Sequence, residues 1–521
     1  MLLHDVITTS AQVGATRSRD AKRAAVAEAL RRADGDEVLL VAAYLAGVLP
    51  QRRIGVGWRG LRELATPAEE PAVTVTELDA ALTEIGQQSG AGSAGRRKTL
   101  VADLFGRLTA DEQQFVARLI GGELRQGAGD GVMLAAIAAA SDVPEPAIRR
   151  AVMLAGHAAP VAQAALRGGL AEVERVGLVV GRPVRPMLAG SAPTVAEAID
   201  PAAFDTEVFD TEAVGTAAQQ VEVKLDGIRV QAHKLGDDVR LFTRSLEEIT
   251  DRLPEVVEIV RALPAETAVL DGEAIALRAD GRPESFQVTG ARTASQGDPA
   301  QLREQVPVTP MFFDLLHVDG DDLIDSPLAE RQRRMDALVP QRWRVPREQI
   351  TDPGGAQQFF DAHVAAGHEG VVVKALGSAY AAGRRGAGWV KVKPRHTLDL
   401  VVLAVEWGSG RRKGLLSNIH LGARDPQTGE FIMLGKTFKG MTDEMLRWQT
   451  QRFTELATDT GDWVVHVRPE QVVEIAFDGL QRSTRYPGGV ALRFARVLRY
   501  RDDKTADEAD TIETVRALSG G

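Results

Sequence analysis

The hydrophobic pattern of the chain changes at residues 181–188 (GRPVRPML), and this change constrains the fold more than any other feature. Before it, apolar residues recur at helical spacing, for example over residues 21–32 and 37–49. After it, short β-type runs alternate with helical segments, and beyond Leu398 the runs are mostly strand-like. The pattern predicts a multidomain protein of α and α+β class, with an all-helical N-terminal domain, an α+β domain and a C-terminal β-barrel of OB type.

We place the helical domain at residues 1–185, the α+β domain at 186–396, the OB-type domain at 397–510 and a C-terminal tail at 511–521. Residues 87–95, rich in Gly, Ser and Ala, are predicted to be an exposed linker between helices. Strands are predicted at 221–223, 230–233, 239–243, 268–277, 370–374, 400–407, 419–421 and 472–477, with a helix at 442–457.

The composition excludes several classes of protein. A chain of 521 residues with 44% hydrophobic residues has room for about three domains, each with its own core. It contains no cysteine, so disulfides, Cys-ligated zinc and Cys nucleophiles are excluded. It has no apolar run of ~18 residues, and its N-terminus lacks the features of a signal peptide. We therefore expect a cytoplasmic protein that does not associate with membranes.

The net charge of -10 argues superficially against a nucleic-acid partner. The charge is segregated, however, because residues 481–501 contain six arginines and no acidic residue. Residues 411–413 (RRK) form a second basic cluster. Each cluster by itself fits either a solvated basic face or a surface that binds phosphates.

Residues 222–229 (EVKLDGIR) place Lys224 at the end of a short β-like run, followed by Asp-Gly and then Arg229. Asp-Gly is a strong hairpin signal, so the segment alone predicts only a strand end and a turn. A lysine amine is protonated and inert at neutral pH unless nearby cations or loss of solvent favour its neutral form. Arg229 and Arg244 are cations that could do so, which makes Lys224 a candidate nucleophile.

An ordered series of motifs follows this lysine: FTRS at 242–245, LDGEA at 270–274, FFDLL at 312–316, EGVVVK at 369–374, WVKVKP at 389–394 and LRFARVLRYRDDK at 492–504. Together with Lys224, the series resembles the covalent nucleotidyltransferase superfamily of ATP-dependent DNA ligases, RNA ligases and mRNA capping enzymes. One departure is Ala495, where such ligases often carry proline. The absence of cysteine separates the chain from NAD-dependent DNA ligases, which usually carry a Cys-based zinc module.

The resemblance implies that Lys224 attacks the α-phosphate of ATP and holds AMP through a phosphoramidate bond. It also implies ATP contacts for Glu222 (adenine amino group), Arg229 (ribose or phosphate), Arg244 (phosphate), Glu273 (ribose or metal), Phe313 (nucleoside face), Arg385, Lys391 and Lys393. For Arg501, in the last motif, it implies a role in orienting the leaving pyrophosphate once the C-terminal domain closes over ATP.

Two carboxylates, Glu273 and Glu369, offer the oxygen ligands that Mg²⁺ binds beside a polyphosphate. Either could instead contact ribose or water, so the metal ligands stay open. Lys391 and Lys393 point the same way from one strand, so both ammonium groups are expected to face the α-phosphate. Lys374 either adds to this charge or is solvent-exposed.

The motifs favour an ATP-dependent DNA ligase that uses ATP and Mg²⁺, acts as a monomer and seals nicked double-stranded DNA in replication, repair or recombination. An RNA ligase or capping enzyme shares the lysine chemistry. The helical N-terminal region argues against it, because residues 121–127 (GGELRQG) resemble the DNA-binding domain of longer cellular ligases.

A catalytically inactive nucleic-acid-binding protein is the third hypothesis. It would have no reason to retain Lys224, both carboxylates and Lys391 together. Every residue matched to ATP contact lies beyond Gly181, so residues 1–180 are expected to be dispensable for the nucleotide chemistry.

Overall fold

The computed structural model describes residues 1–61, 65–124, 127, 129–204, 219–350, 352–382 and 385–518, with the side chains of residues 58, 59, 201, 350 and 385–387 left out. The N-terminal part is helical, as the sequence predicted. Its helices are α1 (Leu3–Ala15), α2 (Arg19–Arg32), α3 (Glu37–Leu45), α4 (Val75–Gln87), α5 (Ser93–Gly106), α6 (Ala110–Ile120), α7 (Asp130–Ser141), α8 (Glu145–Ala155) and α9 (Ala158–Glu174).

Capping boxes fix the beginnings of α4 and α6. In each, a threonine side chain accepts from the N3 backbone while the N3 glutamate accepts from the threonine backbone, at Thr74 with Glu77 and at Thr109 with Glu112. The linker predicted at 87–95 is shorter than expected. Helix α4 includes Gln87 and α5 begins at Ser93, so only residues 88–92 lie between them.

Two five-stranded sheets form the central domain. The first has the strand order β1 (Leu188–Ser191), β10 (Arg385–Val392), β9 (Gly370–Ala375), β2 (Gln219–Lys224) and β8 (Arg347–Ile350). The second has the order β4 (Asp238–Thr243), β3 (Ile228–Leu235), β5 (Thr267–Ala276), β6 (Val308–Val318) and β7 (Asp321–Asp322). The helices of this domain are α10 (Val195–Ile199), α11 (Pro254–Arg261), α12 (Phe286–Ala294), α13 (Pro299–Gln305), α14 (Leu328–Leu338) and α15 (Pro353–Ala365).

The C-terminal domain is β-rich. It contains β11 (His396–Trp407), β12 (Leu416–Arg424), β13 (Phe431–Thr437), α16 (Asp443–Glu455), β14 (Ala457–Thr460), β15 (Val464–Val467), β16 (Val472–Phe477), β17 (Gly479–Arg482), β18 (Val490–Arg493), β19 (Arg496–Tyr500) and α17 (Ile512–Ala517). Strand β11 pairs with β12, β15 and β16, as expected of a strongly curved sheet. The domain is thus β-rich, as the sequence predicted, and no closed barrel is assigned among the described residues.

The segment expected to be a tail begins with an ordered helix. Ile512 and Val515 of α17 are buried in the core of the C-terminal domain, so this helix is part of that domain. All eight strands that the sequence predicted are present, and α16 is the predicted helix. None of the described helices combines the length and apolarity needed to span a membrane.

Candidate active site

Lys224 is the last residue of β2, and the chain turns immediately afterwards into β3. The turn contains Gly227, where an added Cβ would lie 2.4 Å from the carbonyl oxygen of Ala274. Only glycine fits so close to a neighbouring strand. The backbone carbonyl of Lys224 also accepts from the Glu369 amide at 3.2 Å. These constraints fix the lysine at the edge where the two sheets of the central domain meet.

A cleft of about 420 Å³ opens at this edge. Most of the site residues predicted from the sequence line it, namely Glu222, Lys224, Arg229, Arg244, Glu273, Phe313 and Lys391. Two residues without a firm assignment, Lys374 and Trp389, line it as well. The structure therefore brings together side chains from β2, β3, β5, β6, β9 and β10.

One end of the cleft contains a buried ion pair. Lys374 Nζ lies 2.5 Å from Glu222 Oε2, and both side chains are almost completely buried. Gln220 donates to the other oxygen of Glu222 at 2.6 Å. Burial raises the pKa of Glu222 and lowers that of Lys374, while their mutual attraction opposes both shifts. Lys374 is thus a buried partner of Glu222, and the solvent-exposed alternative is excluded.

Aromatic rings form the wall beside this pair. Lys374 Nζ lies 4.2 Å from the ring centre of Trp389 and 4.6 Å from that of Phe313. The guanidinium of Arg229 lies 4.9 Å from the Phe313 ring centre. The two rings meet edge to face at 5.7 Å. The wall is therefore aromatic and bordered by cations.

Arg229 is held by a carboxylate that we did not assign to the site. It donates to both oxygens of Asp271, at 2.8 and 2.6 Å. Tyr380 also donates to Asp271, at 2.6 Å. A bidentate pair fixes both the position and the plane of a guanidinium, so Arg229 faces the cleft in a set orientation.

The ammonium group of Lys224 contacts a carboxylate, in a cleft that Arg229, Arg244 and Lys391 also line. Its partner is Glu369, whose other oxygen contacts Lys393. Lys393 also lies 3.1 Å from Asp478 of the C-terminal domain. Lys391 lines the cleft, whereas Lys393 contacts Glu369 and Asp478, so the two lysines have different surroundings.

The last motif reaches the site through Arg493. Its guanidinium donates to Asp226, two residues after Lys224, at 2.7 Å. Arg501, which we expected to act on the pyrophosphate, is paired within its own domain, with Asp399 at 3.0 Å and Asp503 at 2.7 Å. The C-terminal domain therefore contacts the turn after Lys224 through Arg493. Arg501 instead forms ion pairs within its own domain.

Two predicted residues complete the set. Arg244 is exposed in the turn after β4 and lines the cleft. The backbone of Arg385 begins β10, but its side chain lies outside the described part of the structure. Its assignment stays a prediction.

Two carboxylates lie in or beside the cleft: Glu273 lines it, and Glu369 contacts Lys224. Among the described residues, no group of three His, Cys, Asp or Glu side chains could hold a metal alone. Mg²⁺ keeps several waters and takes phosphate oxygens in addition to one or two carboxylates. The donor set present is of that kind.

Burial raises the pKa of Glu273 from 4.5 to about 7, although Arg229 and Lys224 favour its charged form. Below that pH the carboxyl of the metal-free protein is mostly protonated, so a cation that binds there must first displace the proton. We expect AMP uptake by the protein to fall as the pH drops through about 7, and to fall less steeply in Glu273→Gln. Rates of labelling by ATP between about pH 6 and 8 test this. Identical profiles for the two proteins would assign the pH dependence to another group.

Comparisons with known proteins identify the family. Family models match the chain over residues 59–138 (DNA ligase N terminus), 186–393 (ATP dependent DNA ligase domain) and 412–504 (ATP dependent DNA ligase C terminal region). A probable DNA ligase of Beutenbergia cavernae is 59% identical over 525 residues, covering 100% of both chains. The chain belongs to the ATP-dependent DNA ligase family. A probable DNA ligase of Mycolicibacterium gilvum is 57% identical over 520 residues, 99% of each chain.

A solved structure, Pmar-Lig_Pre, has the same fold, with a TM-score of 0.60 at 18% identity over 95% of this chain and 99% of that one. ATP-dependent DNA ligases use ATP and a divalent metal ion and seal nicks through a lysyl-AMP intermediate. In this ligase, sequence reasoning gave no role to Asp271, Trp389, Asp226 or Asp478. Asp226, Asp271 and Trp389 lie inside the quoted motifs, so their positions were the available signal, whereas Asp478 lies outside every quoted motif.

Proposed function

We propose that Lys224 is the residue that carries AMP. The observation that supports this most directly is its position at the end of β2, inside the cleft and in contact with Glu369. The Nζ atom forms a bond to the α-phosphorus of ATP as the bond to the bridging oxygen breaks and pyrophosphate leaves. Glu369 is the carboxylate placed to take the proton that the amine loses.

The other cleft residues bind the nucleotide in this proposal. Glu222, oriented by Lys374 and Gln220, accepts from the adenine amino group, while Phe313 packs on the nucleoside. Arg229, fixed by Asp271, contacts ribose or phosphate. The cations Arg244, Lys391, Lys393 and Arg385 are assigned to the phosphates, where preorganised charge stabilises the transferring group. Glu273 and, once its contact with the Lys224 ammonium is released, Glu369 would hold Mg²⁺, which would supply charge neutralisation at the phosphates.

In the later steps AMP passes to a 5′-phosphate at a nick and the neighbouring 3′-hydroxyl displaces it. We propose nicked double-stranded DNA as the substrate and a monomer as the active form. In this proposal the helical domain (residues 1–185) binds the DNA duplex. The α+β domain (186–396) carries out the nucleotide chemistry, and the C-terminal domain (397–510) closes over the cleft. Action on DNA in the cytoplasm of a bacterial or archaeal cell stays a prediction. The contact of Arg493 with Asp226 supports the closing role.

A cofactor and substrate comparison tests this proposal. We expect sealing of nicked duplex DNA with ATP and no sealing with NAD in an ATP-free preparation, because a Cys-based zinc module is impossible in a chain without cysteine. A nick between RNA strands of the same sequence serves as the control for substrate class. Efficient sealing with NAD would refute the cofactor assignment, and a preference for the RNA nick would favour the RNA ligase hypothesis.

A further inference from the structure

Helix α8 belongs to two hydrophobic cores at once. Ile148, Ala151 and Val152 are buried in the core of the N-terminal domain. The next two residues, Met153 and Leu154, are buried in a different cluster that consists mainly of residues from the central domain. This second cluster includes Val184, Met187, Val269, Leu316, Ile324, Tyr380, Ala382 and Trp389.

Polar contacts fix this helix end in place. The Met153 sulfur accepts from the backbone N–H of Ala382 at 3.1 Å, and the Met153 carbonyl accepts from the Arg185 N–H at 2.9 Å. Arg185 donates to the Gly156 carbonyl at 2.9 Å. At Gly156, φ is +78° and an added Cβ would lie 2.9 Å from the Pro183 carbonyl oxygen. The end of α8 is therefore joined to the central domain at Ala382 and to the segment that leads into that domain at Pro183 and Arg185.

The residues behind α8 form the wall of the nucleotide cleft. Trp389 lines the cleft and packs edge to face against Tyr380, with ring centres 5.9 Å apart. The Tyr380 hydroxyl donates to Asp271, the carboxylate that orients Arg229. A shift of this wall would move the aromatic surface and the guanidinium that the proposed function assigns to ATP.

We propose that Met153 and Leu154 are positioning residues for the nucleotide, through which docking of the N-terminal domain sets the affinity of the cleft for ATP. This rests on the proposed function of the cleft. Residues 1–180 are then not dispensable for the nucleotide chemistry, contrary to our expectation from the sequence. Removing residues 1–180 would expose the residues that the central domain contributes to this hydrophobic cluster. The aromatic wall formed by Tyr380 and Trp389 would then lose its packing partners.

Alanine variants on the two faces of α8 test this. In Met153→Ala we expect KM for ATP in self-adenylation to rise by roughly 3- to 20-fold while the saturated rate changes by less than about twofold. Met153→Leu should restore KM, because it refills the volume. Ile148→Ala is the matched control on the same helix: it lowers the melting temperature through the N-terminal core and leaves KM within about twofold of the parent.

Each outcome decides one question. An unchanged KM in Met153→Ala, or an equal rise in Ile148→Ala, would overturn the coupling. If Met153→Ala does not fold at the assay temperature, Leu154→Val replaces it, with an expected rise in KM of about 2- to 5-fold and the same criterion for rejection. Failure of the parent protein to take up AMP at all would instead contradict the proposed function, so the two failures are distinguishable.

Discussion

Lys224→Ala should take up no detectable AMP from ATP and should seal no nicks. The amine that forms the phosphoramidate bond is lost, and the neighbouring cleft lysines belong to other strands with partners of their own. The measurement is incubation with α-labelled ATP followed by denaturing electrophoresis. A fall of at least about 10⁴-fold in labelling is expected for loss of a covalent nucleophile.

The control is Lys98→Ala, which removes an exposed lysine of the N-terminal domain. Its labelling should match the parent. The melting temperature of Lys224→Ala should also stay close to that of the parent, since this partly exposed side chain contributes little packing. Surviving label in a folded Lys224→Ala protein would place the nucleophile elsewhere and end the assignment of the cleft.

Arg493→Ala should lower the rate of self-adenylation by about 100-fold, the usual effect of removing one preorganised charge from a transferring group. Arg493 is the cation of the last motif that reaches the turn after Lys224. Sealing of DNA that already carries the 5′-adenylate should change much less, because that reaction no longer involves pyrophosphate. Both rates are measured on the same preparation.

Two neighbouring arginines provide the comparison. Arg499, whose side chain is 64% exposed and pairs with Glu474, should tolerate alanine with less than about a twofold change in self-adenylation. Arg501→Ala should act mainly on the stability of the C-terminal domain, because it breaks the contacts with Asp399 and Asp503. If Arg501→Ala impaired self-adenylation and Arg493→Ala did not, the closed arrangement would not be the one used in the first step.

Much of the cleft could be predicted because its chemistry requires fixed residue types on consecutive strands. Each of four cleft residues lies in a short motif within a strand, namely Glu222, Arg229, Glu273 and Phe313. Strand alternation also placed Lys391 correctly, facing the cleft. The assignments of these four residues came from the resemblance of the motifs to the nucleotidyltransferase superfamily, and strand alternation contributed only the direction of the lysine side chains.

Contacts between distant segments could not be predicted. Lys393 and Asp478 are 85 residues apart, and Asp226 and Arg493 are 267 apart. No local sequence pattern indicates which acidic side chain forms an ion pair with which basic side chain of another domain. The ion pair between Arg501 and Asp399 also joins segments that are distant in the sequence. In α8 a signal was present, since residues 151–155 (AVMLA) are apolar on every face, which is typical of a helix buried on more than one side.

A pulse–chase experiment tests the central claim most directly. The protein is labelled with α-labelled ATP, freed of nucleotide, and then mixed with duplex DNA containing a single nick with a 5′-phosphate. The label should leave the protein, pass through the 5′-adenylate of the DNA and appear as free AMP in step with the sealed strand. Label that stays on the protein while DNA is sealed, or clears without any sealing, would contradict the assignment of Lys224–AMP as the intermediate of nick joining.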